Sequence, residues 1–220
     1  MTKNINYQFQ ELCKKGDLKE IKKFYFNNPT IDISAYNECA FQIACGNGHL
    51  KVAKWLLEVK PDINISAYNE FAFRYSCGNG HLKVAKWFLE VKPDINISAE
   101  NEIAFIHSSG NGHLKVAKWL LEVKPDIDIS YRNEIAFRCA CLNGQLKVAK
   151  WLLKVKPDIN IFANNEFNNS SLRLIFIYGH LKVAKLLLKH KTQNYYVFEK
   201  KNKIYNKKIY NKKQQMAKQI

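Results

Sequence analysis

The sequence predicts an all-α solenoid of about six helix-turn-helix units, joined by short extended arms and followed by a disordered basic tail. Three observations carry this. Asn-Glu pairs recur at 37–38, 69–70, 101–102 and 133–134, a step of 32 residues. All five prolines (Pro29, Pro61, Pro93, Pro125 and Pro157) keep the same step. Within each period two apolar patterns of helical spacing flank a glycine turn. A period in the low thirties marks a unit that buries its apolar side only against its neighbours, so function is read from surfaces and not from a central pocket.

The N-terminal run MTKNINYQFQELCKK has no apolar h-region and no small-residue cleavage site, so no signal peptide is expected. Residues 1–36 read as a degraded capping unit. Gly16-Asp-Leu-Lys-Glu-Ile-Lys-Lys23 aligns with Gly48-His-Leu-Lys-Val-Ala-Lys-Trp55, with Glu20 in place of a valine and Lys23 in place of a tryptophan. Polar substitution is what a solvent-facing end requires. Four regular units follow over 37–164. In each, a first helix opens after the Asn-Glu pair, as in CAFQIAC over Cys39–Cys45, and ends at Gly46-Asn47-Gly48, where glycine reaches positive φ without strain. A second helix runs from His49. Leu50, Val52, Ala53, Leu56 and Leu57 make its buried side, Lys51, Lys54 and Glu58 its outer side, and the residue before Pro61 is pushed out of the α region, so it ends near Val59. The segment after it, Asp62 to Asn69, alternates polar and apolar like an extended arm. The final unit, 165–199, carries extra residues around Asn164–Asn169, and its far side is covered either by Tyr195–Phe198 folding back or by a partner.

The recurring GNGHLKVAKWLLEVKPDIN resembles the second half of an ankyrin repeat, and the resemblance spans roughly residues 5–199. Departures are specific. Cys39-Ala-Phe-Gln42 and its equivalents replace the family's Thr-Pro-Leu-His, so the histidine that braces neighbouring turns in that family is missing. Lys60, Lys92, Lys124 and Lys156 stand where a glycine usually ends the second helix. The Asn/Lys/Ile-rich composition and near-identical units look like ankyrin proteins of AT-rich genomes, including large DNA viruses.

Net charge is +16, but it is not spread evenly. Residues 200–220 carry eight lysines (among them Lys200, Lys201, Lys203, Lys207, Lys208, Lys212 and Lys213) and no acid, whereas the units over 37–132 are neutral. Such a tail cannot bury enough apolar surface to order itself, and it leaves nucleic-acid contact or nuclear import to the tail alone. Along the array, Lys51 and its equivalents are diluted by Glu58, Glu90 and Glu122, which reads as a solvated outer face.

Six cysteines occur. Cys13, Cys45, Cys77 and Cys141 share a slot with Ser109 and Phe176, so the slot serves packing, and no metal site or cofactor is expected. His49, His81, His113 and His180, at the start of the second helices, share their slot with Asp17 and Gln145, which reads as polarity at a helix start. Trp55, Trp87, Trp119 and Trp151 lie beside buried leucines and read as core, not as a base-stacking ladder. No nucleophile, phosphate-loop or zinc-protease motif is present, so no enzyme is expected, and no apolar run approaches the roughly 18 residues of a membrane span.

The units differ at two places, the arm tip and the first helix. Ankyrin arrays present these regions to protein partners on a concave face, and the resemblance extends that role to Tyr36, Gln42, Tyr68, Arg74, Tyr75, Glu100, Ile106, His107, Arg132 and Arg138. The expected function is a non-enzymatic, intracellular scaffold, cytoplasmic or nuclear and monomeric, that binds a protein partner. Two alternatives stay open: a nucleic-acid-associated or nuclear-targeted protein acting through its tail, and an adaptor docking a second component or copy at its C-terminal end.

Overall fold

Two rows of helices form the array. The computed structural model describes residues 5–159, 175 and 178–190. The tail, the insertion around 164–169 and the Tyr195–Phe198 segment lie outside the described residues. The first helices of the units are α1 (Ile5–Lys15), α3 (Ala35–Gly46), α5 (Ala67–Gly78), α7 (Ala99–Gly110) and α9 (Tyr131–Leu142). The second helices are α2 (Leu18–Phe26), α4 (Leu50–Val59), α6 (Leu82–Val91), α8 (Leu114–Val123) and α10 (Leu146–Val155), and residues 181–190 are helical as well. First helices stack on one another, and each second helix packs against the first helix of its own unit.

The core is continuous through the stack. Phe41, Phe73, Phe105 and Phe137 on the first helices are fully covered, and Trp55, Trp87 and Trp119 are buried on the second helices. Trp87, Trp119 and Trp151 each reach the phenylalanine of the preceding unit, with ring centroids 6.2 Å apart for Phe41–Trp87, 6.5 Å for Phe73–Trp119 and 6.2 Å for Phe105–Trp151, while Trp55 meets Tyr25 at 5.5 Å. The tryptophan row is therefore an inter-unit seam.

The second helices stop as the prolines require. Lys60 has φ −133° and ψ 84°, and Lys92, Lys124 and Lys156 match it, so no glycine is needed there. The connecting arm differs from its expected extended form. Ile63 N–H donates to the Lys60 carbonyl and Ala67 N–H to the Asn64 carbonyl, making two successive turns, and no strand occurs among the described residues. The polar-apolar alternation has another cause. Ile63 enters the core, while the Asn64 side chain accepts from Ser66 N–H at 3.1 Å, a local bond that competes with strand pairing.

Candidate functional site

The arm tips are built on an unusual backbone. Tyr36, Asn37 and Glu38 all have positive φ (60°, 56° and 64°), as do the three equivalent residues of the next three units. Glu38 N–H still donates to the Ser34 carbonyl at 3.2 Å, so each tip is one turn of left-handed helix placed ahead of the right-handed first helix. Left-handed geometry costs roughly 1–2 kcal/mol per residue with a Cβ, so other bonds must hold it. One set comes from the recurring glutamate. Glu38 Oε1 accepts the backbone N–H of Asn64 in the next arm at 3.2 Å, and Glu70 Oε1 accepts Asn96 N–H at 3.4 Å and Ser66 Oγ–H at 2.9 Å. A second set comes from the first helix: Gln42 Nε2 donates to the Asn37 carbonyl at 2.8 Å, while Arg74 Nε and Nη2 donate to the Asn69 and Tyr68 carbonyls at 2.7 and 2.8 Å. Tips also join tip to tip, since Asn37 donates to the Tyr68 hydroxyl and Asn69 to the Glu100 carboxylate.

This scaffold exposes some of the expected contact residues and withdraws others. Tyr36 and Tyr68 are 60% and 59% exposed and Tyr75 is 44% exposed; Glu100, His107 and Arg132 are also on the surface. Gln42 and Ile106 are buried, so Gln42 serves its own tip and Ile106 the core. Arg74 and Arg138 are half-buried. Phe71, absent from the expected set, completes an exposed cluster: its ring lies 5.5 Å from that of Tyr75 and 5.7 Å from the Arg74 guanidinium carbon. Arg132 stacks on Tyr131 at 5.4 Å. Tyr75 also lies over Gly46 of the preceding unit, where a Cβ would meet its ring.

The glycine turns carry a second brace that motif reading assigned to turn geometry alone. His49 Nε2–H donates to the Lys14 carbonyl of the preceding unit at 2.8 Å. Asn79, Asn111 and Asn143 each donate from Nδ2 to the carbonyl of Gly46, Gly78 and Gly110 respectively, all at 2.8 Å. Among α2, α4, α6, α8 and α10, Asp17 alone caps its helix with its side chain, and the polarity expected of this slot serves bracing across units at His49 and His81. Burial holds His81, His107 and His113 below the ordinary imidazole range, with a bond to the Gly46 carbonyl opposing the shift at His81 and the Arg74 charge adding to it at His107.

Matched regions of the ankyrin repeat model cover residues 9–101 and 93–163. The chain belongs to the ankyrin repeat family. A search of curated proteins finds no match. Ankyrin repeats form a non-catalytic scaffold that generally serves protein–protein interaction. The chemistry of this ankyrin array agrees. Desolvation pushes the Cys13 and Cys141 thiols up to about 12 and raises Cys39, Cys45, Cys77 and Cys139 as well, so the nucleophilic thiolate is suppressed at neutral pH. Among the described residues no group of three or more His, Cys, Asp and Glu is placed to hold a metal ion. No helix among them is long and apolar enough to cross a membrane.

Proposed function

We propose that this ankyrin array works inside the cell as a scaffold that binds a protein partner through its arm tips and first helices, centred on Tyr36, Tyr68, Phe71, Arg74 and Tyr75. The observation that carries this reading is the exposure of aromatic side chains around the half-buried Arg74 at positions where the units differ, on a backbone bonded from below. Tyrosine and arginine are the residues that most often anchor interfaces, because each couples a large flat contact area to a polar group. A preorganised tip also lowers the ordering cost of binding.

The test separates contact from support. Arg74→Gln keeps a donor to the tip carbonyls, as Gln42 does, while Tyr68→Ala and Tyr75→Ala remove exposed rings. The triple variant is expected to bind the captured partner at least tenfold more weakly while keeping its helical content and a cooperative, modestly lowered melting transition. Equal affinity would sink the proposal. A second reading places function in the basic tail, favoured by eight lysines without an acid over 200–220. Its mark is nucleic-acid affinity that falls steeply and linearly in log–log with salt and disappears when those lysines become glutamine.

A further inference from the structure

One junction between tips differs in charge from its neighbours. Between the second and third tips of the four regular units lies a polar cleft of about 530 Å³ whose walls include Ser66, Asn69, Glu70, Asn96, Ser98 and Glu100. Glu70 is 7% exposed, and while its Oε1 is hydrogen-bonded, its Oε2 is buried without a donor. A carboxylate oxygen shut off from water and left unpaired is costly, and a cation entering the cleft would supply what it lacks. Glu100 adds a second carboxylate on the same wall, bonded only by the neutral Asn69 amide. The ion pairs of the described residues all lie within the Lys-Pro-Asp turns, so none neutralises either group. The residue at the Glu100 position is Tyr68 one unit earlier and Arg132 one unit later; the next junction has Glu102 and Asp128 but also Arg132, so among the described junctions between left-handed tips this one carries two carboxylates and no cation.

We propose that this cleft receives one arginine side chain of the protein partner. The proposal rests on the partner-binding reading above. The cleft has room for a side-chain head, and the carboxylate and amide oxygens around it match the several donors of a planar guanidinium better than the point charge of an ammonium.

Titration of the isotope-labelled full chain with Nα-acetyl-arginine amide, followed by NMR, tests it. Saturable shifts confined to residues 66–70 and 96–101 are expected. Binding should weaken about tenfold in Glu70→Gln and in Glu100→Tyr, the latter carrying a side chain the scaffold already accepts at Tyr68. The neutral citrulline analogue should leave the spectrum unchanged, and the acetyl-lysine amide should bind more weakly. Absent or scattered shifts, equal response to citrulline, or full binding by Glu100→Tyr would overturn the proposal. Calcium chloride producing the same shifts and displacing the arginine amide would overturn it too, by making the cleft an ion site. The two readings fail separately. A silent cleft with partner binding still lost in the Tyr68, Arg74 and Tyr75 variant removes only the arginine site, whereas intact partner binding in that variant removes the partner face whatever the cleft binds.

Discussion

At the scale of single residues, the left-handed tip is the feature that composition conceals. Asn101 has φ 56° and lies at the surface, and no side-chain hydrogen bond of its own holds it. Asn101→Gly is expected to raise stability by about 1 kcal/mol in urea titration, while Asn101→Ala should change it little, because only the former removes an unsupported Cβ from left-handed space. Equal loss in both would mean that the side chain, not φ, decides. Trp87→Ala should cost about 3–5 kcal/mol, since it removes the ring that spans two units against Phe41. The tryptophans were legible as core from their place beside leucines. The glutamates were not: Glu38, Glu70, Glu102 and Glu134 read as period markers, since an acidic residue at a helix start is ordinarily solvated. The burial of Glu38 and Glu70 follows from the next arm's backbone, which a single unit's pattern does not contain.

At the scale of elements, helix ends were legible and the arms were not. Proline position and glycine pairs have local consequences, so Val59 and Gly46 ended their helices as expected. The alternating arm obeyed an Asx bond and one buried isoleucine, which mimic the pattern of a strand. The brace between units gives the elements a pH response. Burial lowers the folded-state pKa of His81, His107, His113 and His190, so between their folded and unfolded values the unfolded chain binds more protons. Stability is then complete above the unfolded value of about 6.5 and declines as pH falls through the folded values. Melting temperature should drop between pH 7.5 and 5.5. His81→Gln with His113→Gln, copying the chain's own Gln145, should flatten that dependence, and an unchanged slope would contradict the assignment.

At the scale of the whole molecule, each unit is held by its neighbours through the phenylalanine–tryptophan seam, the asparagine-to-glycine bonds and the glutamate-to-arm bonds. Stability in such a stack is a sum of unit and interface contributions, so an end unit protects the one behind it. Deleting residues 1–36 should expose amides of α3 and α4 to hydrogen exchange sooner than those of α7 and α8, and uniform loss across the array would show a more cooperative molecule than this. The solenoid was legible because a 32-residue echo survives in plain sequence. The candidate face was legible only in part. Variation among units pointed to the arm tips and first helices, but it could not separate Tyr68, which is displayed, from Gln42, which is turned inward to hold a tip.

The central claim is that the tips and first helices, and not the basic tail, carry the function. The direct measurement is affinity capture from nuclease-treated lysate with three full-length baits: the native chain, the Tyr68→Ala, Arg74→Gln, Tyr75→Ala variant, and a chain whose lysines from 200 onward are glutamine. The account predicts that one protein returns with the native and tail-neutral baits and is lost with the tip variant. A protein retained by the tip variant and lost with the tail-neutral bait would contradict it.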